Sequence, residues 1–156
     1  MNMQVPRQGR LAGVDYGTKR IGIAICDPDQ RLASPFENYT RRTPQLDSAR
    51  FQLLAKEERL VGFVVGLPLH TTGNESQKST EARQFADWLR ELTGLPVQLF
   101  DERFTSSQAE QYLLAAEMTK KRRKERLDML AAQILLASFI ESPTREVDRL
   151  GIDDQR

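Results

Sequence analysis

The chain has 156 residues, 39% apolar and 29% charged, with a formal net charge of +1. That is the profile of one soluble globular domain with enough chain for a real core. It argues against a membrane span, for want of an apolar run of about 18 residues, against a disulfide scaffold, since Cys26 is the only cysteine, and against any nucleic-acid reading based on a global basic field.

In chain order, residues 1–9 are polar, hold Pro6 and lack the apolar segment of a signal peptide. They are expected to be a flexible tail on a cytoplasmic protein. Leu11 to Asp15 is a short apolar run ending in a carboxylate. Ile21, Ile23 and Ile25 then alternate with Gly22, Ala24 and Cys26, which predicts a strand with one bulky face and one small face fit for close packing. After the turn at Pro28-Asp29, Arg31 to Glu37 reads as a weaker strand, and Pro35 suits a sheet edge. Leu46, Ala49, Leu53 and Leu60 predict a helical stripe. Val61 to Leu67 predicts a buried parallel strand. Ala82, Phe85, Ala86, Leu89 and Leu92 predict a second helix, closed by Gly94 with Pro96 beyond. Val97 to Phe100 is a fifth strand, and Ser107 and Glu110 form a capping box for the next helix. A basic loop then leads to a last helix from about Glu125 to Glu141, and residues 143–156 look like a charged tail.

Three consecutive strands favour an antiparallel meander, and the later strands, separated by helices, favour parallel crossovers. The expected fold is α/β: a five-stranded mixed sheet with helices on both faces over residues 10–142.

Asp15 and Glu102 lie at the C-terminal ends of predicted strands, the edge where open α/β sheets bind ligands. Asp101 competes with Glu102, because adjacent strand residues point to opposite faces. Asp128 sits near the expected start of a helix, LDMLAAQILLASFI, that is apolar nearly all round and so predicted to be buried on most faces. A plain helix-dipole role would also explain an acid there. Clustered acids need compensating cations. Oxygen-only ligands suit Mg²⁺ or Mn²⁺, and two such ions can clamp a phosphoryl transfer. One histidine, His70, and one cysteine do not build a usual zinc site.

Between the first two strands, Gly17 allows an unusual backbone angle or a close approach, with Lys19 and Arg20 beside it. Lys120, Lys121, Arg122, Arg123, Lys124 and Arg126 are interrupted only by Glu125. Such a run is either a solvated loop or a set of phosphate contacts steering nucleic acid towards the acids. Tyr16, Trp88 and Phe104 form no stacking platform in the sequence, and Trp88 is expected to pack its helix.

Four segments in register, GVDYGTKRIGIAI at 13–25, VVGLPL at 64–69 with GNE at 73–75, DERFTS at 101–106 and LDMLAAQILLASF at 127–139, resemble the YqgF (RuvX) family of pre-16S ribosomal RNA nucleases and Holliday-junction-resolvase-like proteins. The resemblance implies an RNase H-like fold with sheet order 3-2-1-4-5 and divalent-metal hydrolysis of phosphodiesters. It assigns the catalytic and metal-holding acids to Asp15, Glu102 and Asp128, favouring Glu102 over Asp101. Gly17, Lys19, Arg20, Asn74, Arg103 and Lys120 to Lys124 are the expected substrate contacts. The partner is nucleic acid, precursor ribosomal RNA first and branched DNA second, for a monomer or a homodimer. Where related RuvC-type resolvases carry a second acid one turn along the last helix, this chain has Ala131. That departure weakens the junction-resolvase alternative. The other rivals are a non-catalytic RNA-binding or assembly factor and an actin-like ATPase, the latter needing a second domain that this length does not supply.

Overall fold

The structure, a computed structural model, describes residues 4–68, 77–101 and 120–145, with side chains from residue 126 onward in the last segment. Five strands, β1 (Arg10–Asp15), β2 (Arg20–Cys26), β3 (Ala33–Thr40), β4 (Leu60–Leu67) and β5 (Val97–Asp101), form one sheet in the order β3-β2-β1-β4-β5. β1 pairs antiparallel with β2 and parallel with β4, and β4 pairs parallel with β5. The meander-then-crossover order expected from the spacing is the one found, and the topology is that of the RNase H-like fold. β3 lies at the edge, where Pro35 costs no ladder bond to a further strand. It begins and ends later than the sequence pattern suggested.

Helices α1 (Pro44–Glu57) and α2 (Gln77–Thr93) cover one face. Their cluster holds Ile21, Ile23, Ile25, Phe51, Phe63, Val65, Phe85 and Leu89. Aromatic rings interlock there: Phe51 meets Phe85 edge-on at 5.7 Å and Trp88 at 6.0 Å, a favoured geometry. The third described helix, α3 (Lys120–Glu141), covers the other face with Ala132, Leu136 and Phe139 against Leu11, Ala24, Cys26 and Val64. The alternation in β2 therefore works as its sequence suggests: isoleucines towards α1 and α2, small residues towards α3.

Three expectations need correction. The buried stripe of α1 is Asp47, Phe51 and Leu54; Leu46 and Leu53 are 49% and 47% exposed, and Ala49 is exposed too. The leucine spacing pointed to the wrong face because the buried carboxylate of Asp47 is satisfied by hydrogen bonds. Helix α3 begins at Lys120 rather than near Glu125, so the basic run lies on its first turns and not in a loop. Its burial is confined to one stripe, Ala131, Ala132, Leu135, Leu136 and Phe139, with Met129 and Leu130 only half-buried.

The described residues of both tails are anchored on the domain. Val5 is 7% exposed and packs at Gly62, and the Gln30 amide donates to the Pro6 and Gly9 carbonyls at 2.9 and 3.0 Å. At the other end Arg145 is buried, donates to Gln30 Oε1 at 2.9 Å and lies 5.0 Å over the Phe139 ring. Polar composition hid these anchors, one apolar and one a cation held by neutral hydrogen-bond acceptors and a ring. Residues 146–156 and the expected helix after Ser107 lie outside the described residues.

Candidate functional site

The C-terminal ends of β1, β4 and β5, the start of β2 and the end of β3 share one rim, as the pairing directions require. Asp15 closes β1 there and pairs directly with Gly22 of β2. Directly opposed residues of an antiparallel pair share a face. That face is fixed by Gly13, where an added Cβ would sit 2.7 Å from Leu136 Cβ of α3, and by Leu11 in the same α3-side cluster. Asp15 continues this row by the two-residue period, so its side chain is on the α3 face.

Asp128 reaches the same place from above. An added Cβ on Gly22 would sit 2.1 Å from the Asp128 carbonyl oxygen. The helix backbone thus rests on the bare glycine, and Asp128 is set over the strand residue that pairs with Asp15. Since α3 starts at Lys120, Asp128 is more than two turns inside it at about 3.6 residues per turn, beyond the reach of the helix-start dipole. Its carboxylate accepts from Arg20 Nε at 3.3 Å, in a pair that is 39% and 28% exposed. Such a pair adds only about 0–1 kcal/mol of stability.

Asp101 pairs with Leu67 of β4. Neighbours across a parallel pair share a face, and Leu67 belongs to the cluster under α1 and α2. Asp101 therefore points away from the face that holds Asp15 and Asp128. Of the other expected site residues, Gly17 is required by close approach, because an added Cβ would sit 2.3 Å from the Arg20 carbonyl oxygen; its φ is not in the left-handed region. Lys19 and Arg20 follow in the same turn and line a cleft on the rim. Lys120 to Lys124 are placed on α3 by backbone only. Asn74, Glu102, Arg103 and His70 lie outside the described residues.

Among the described residues no group of three histidines, cysteines or acids is close enough to hold a metal. The pair they do bring together, Asp15 and Asp128, offers only carboxylate oxygen, the donor type of Mg²⁺ and Mn²⁺. Pattern reading missed Arg41, Arg42 and Asp47. The first two follow the last residue of the edge strand and line the same cleft, and Asp47 is a buried acid in a stripe read as leucines. The only sequence signal was a pair of arginines at a strand exit followed by a Thr-Pro helix start.

A five-stranded mixed sheet of this order, with a helix laid across its central strands, is the RNase H-like fold. The fold is shared with the fowlpox virus resolvase in its Holliday-junction complex (TM-score 0.56, 12% identity, 85% of this chain and 97% of that one). It is also shared with Thermus thermophilus RuvC bound to a Holliday junction (TM-score 0.51, 18% identity, 81% and 90%). At the level of sequence, residues 9–142 match the family model RuvX, described as Holliday junction resolvase. A Rhodopirellula baltica protein named as a candidate pre-16S rRNA nuclease is 56% identical over 137 residues, 88% of this chain and 79% of that one. A Sphingopyxis alaskensis protein of the same name is 40% identical over 141 residues, 90% and 92%. The chain belongs to the RuvX family of nucleases.

Proposed function

We propose that this protein hydrolyses phosphodiester bonds at the Asp15–Asp128 rim, maturing the end of precursor small-subunit (16S) ribosomal RNA. The observation that carries the reading is the seating of Asp128 on Gly22, the pairing partner of Asp15. Two acids far apart in sequence occupy neighbouring positions by a contact that any larger residue would prevent. The substrate follows the names of the relatives, which are 39–56% identical to this chain over the aligned residues.

In this reading Asp15, Glu102 and Asp128 are the catalytic carboxylates and together hold Mg²⁺ or Mn²⁺. Asp101, on the opposite face, is left out. The bound cation supplies charge stabilisation for displacement at phosphorus. Arg20 orients the Asp128 carboxylate and offsets part of the negative charge at the rim. Gly17 lets the β1–β2 turn close tightly, so that Lys19 and Arg20 are presented beside Asp15. Lys120 to Lys124, with Asn74 and Arg103, contact substrate phosphates. The nuclease domain spans 10–142 with Val5 and Arg145 packed onto it, and the work is cytoplasmic.

Ala131 stands one turn beyond Asp128, where RuvC-type resolvases carry a further acid, and the lack of a carboxylate at that position supports a three-acid site over the resolvase pattern. An end-processing nuclease needs one site and works as a monomer. Junction resolution needs two sites, and so a homodimer.

The test is purified protein with Mg²⁺ or Mn²⁺ on a precursor 16S RNA end and on a four-way DNA junction. Cleavage of the RNA, lost in Asp15→Asn and Asp128→Asn, supports the proposal. Cleavage confined to the junction replaces the substrate. Tight RNA binding with no turnover under either metal makes the protein a binding factor on a nuclease scaffold.

A further inference from the structure

On the β3 side of Asp15 the rim opens into a cleft of about 660 Å³ lined by Thr18, Lys19, Arg20, Thr40, Arg41 and Arg42, with Asp47 in its wall. The four cations come from three places: the β1–β2 turn, the first residue of β2, and the segment leaving β3. Arg20 belongs to both sites, lining the cleft and holding Asp128 at 3.3 Å. The cleft opens on the α1 side of the rim and the acids lie on the α3 side, so Arg20 is the residue that links the two across the end of the sheet.

The cations are organised from below. Asp47 is 3% exposed and accepts from the Tyr39 hydroxyl at 2.6 Å, the Arg42 backbone N–H at 2.9 Å and Arg41 Nε at 3.3 Å. Arg41 Nη1 also donates to the Tyr16 hydroxyl at 3.0 Å, and its backbone N–H donates to the Lys19 carbonyl at 2.9 Å. One carboxylate thereby fixes the strand exit, the first turn of α1 and the guanidinium of Arg41. No side-chain partner for Arg42 or Lys19, and none for Arg41 Nη2, is found among the described residues. A helix-start acid with only a dipole role has no need of burial or of these three donors.

We propose that this cleft binds a backbone phosphate of the nucleic-acid strand next to the scissile bond. Lys19, Arg41 and Arg42 make the contacts, and Asp47 is the positioning residue that presets them. The inference rests on the nuclease reading of the rim and extends it to substrate positioning. The end of β3 lies two strand spacings from β1, about 10 Å, so the cleft reaches a neighbouring phosphate rather than the reacting one. A guanidinium fork fits phosphate oxygens two at a time. The nearby Tyr16 ring is occupied by Arg41, 5.4 Å from its centroid, and by Phe85 at 4.9 Å, so it does not serve as a base-stacking platform. The cleft thus reads backbone and not sequence.

The test is binding in the Asp15→Asn background, with affinity followed against salt for single-stranded RNA of the precursor end and for a four-way DNA junction. Arg42→Ala and Lys19→Ala, whose side chains support nothing described in the fold, each weaken binding roughly fivefold whatever the sequence. Each lowers the slope of log K on log salt by about 0.7 on a single strand. Asp47→Asn, assayed well below its melting temperature, separates charge from positioning. Removing an acid from a basic cleft should tighten phosphate binding by charge alone; loss of the preset geometry weakens it, and weakening is the expected result.

Unchanged affinity and slope in both Arg42→Ala and Lys19→Ala overturn the cleft. Tighter binding by Asp47→Asn overturns the positioning role. An effect on RNA alone or on the junction alone supports the site and tells which strand supplies the phosphate. Cleavage by the unaltered protein is scored separately: slopes that fall while the unaltered protein never cuts leave the cleft standing and remove the nuclease reading, and cleavage with unchanged slopes does the reverse.

Discussion

The two faces of the sheet are built to opposite rules. Under α1 and α2 the strands present isoleucine, valine and phenylalanine, and rings from three elements interlock. Under α3 they present Gly13, Gly22, Ala24 and Cys26 beside Leu11 and Val64, and at the glycines the helix backbone comes down onto the strands. The first face buries apolar volume, which is where stability comes from. The second gives up volume for proximity, so that Asp128 stands over the partner of Asp15. The two acids are thus held on the opposite side of the sheet from the larger apolar cluster, and each side can be damaged separately.

The sharpest break is at the acids. Asp15→Asn keeps the side chain's shape and removes its charge, so activity should fall about a thousandfold or more, as expected when several kcal/mol of charge stabilisation are lost. The melting temperature should change little, since the side chain keeps its shape. Gly22→Ala tests the close approach. Its methyl group meets the Asp128 carbonyl, so α3 must shift. A misplacement near 1 Å costs about a hundredfold in rate, alongside roughly 1–3 kcal/mol from overpacking. Phe51→Ala on the other face should reverse the pattern: about 3–5 kcal/mol lost in denaturant unfolding, with kcat per folded molecule unchanged. If Gly22→Ala unfolds the protein while sparing the rate, or Phe51→Ala does the opposite, the separation of faces is wrong.

How far the sequence disclosed this differs by face. The strand order, the parallel pairs and the two-sided character of β2 follow from period and spacing, because alternation within a strand is local information. The placement of Asp128 does not. Its role depends on where α3 crosses the sheet, and the sequence shows only a glycine on one strand and an acid more than a hundred positions later. Asp101 against Glu102 was likewise open from pattern, and the register of β5 against β4 settles only the face of Asp101. The cleft was hardest to see. Arg41 and Arg42 look like ordinary surface charges until Asp47 is known to be buried, and a buried acid contradicts the apolar spacing that locates a helix face. Leu46 and Leu53 carried that spacing and are exposed.

The next effect is smaller and depends on pH. Burial pushes the Asp47 carboxyl up, but hydrogen bonds from Tyr39, the Arg42 backbone and Arg41 outweigh it and hold the group below its ordinary value of 3.8. A group depressed in the folded state adds stability that is complete above the unfolded pKa and is lost as pH falls through the folded one. Stability should therefore decline below about pH 4, and Asp47→Asn should flatten that part of the curve. The phenol of Tyr39, pushed up to about 12 by burial and by its bond to Asp47, remains a neutral donor throughout. Urea midpoints between pH 3 and pH 7 measure the difference; parallel curves for the two proteins would show that Asp47 is not the group being protonated.

The smallest expected effect bears on the leucines of α1. A helix whose buried stripe is Leu46, Ala49 and Leu53 would lose about 2–5 kcal/mol on truncation of either leucine. In the observed orientation both side chains are half-exposed and the buried row runs through Asp47, Phe51 and Leu54. Leu46→Gln and Leu53→Gln should then change the unfolding free energy by no more than about 0.5 kcal/mol, the usual range for a surface site. Because Thr43 caps this helix, accepting from the Leu46 backbone N–H at 3.2 Å, the substitution at 46 leaves the cap intact. A large loss at either leucine would mean that α1 is rotated about its axis, which would withdraw Asp47 from Tyr39 and leave Arg41 and Arg42 without their anchor. The mildest pair of substitutions therefore checks the helix orientation on which the basic half of the rim depends.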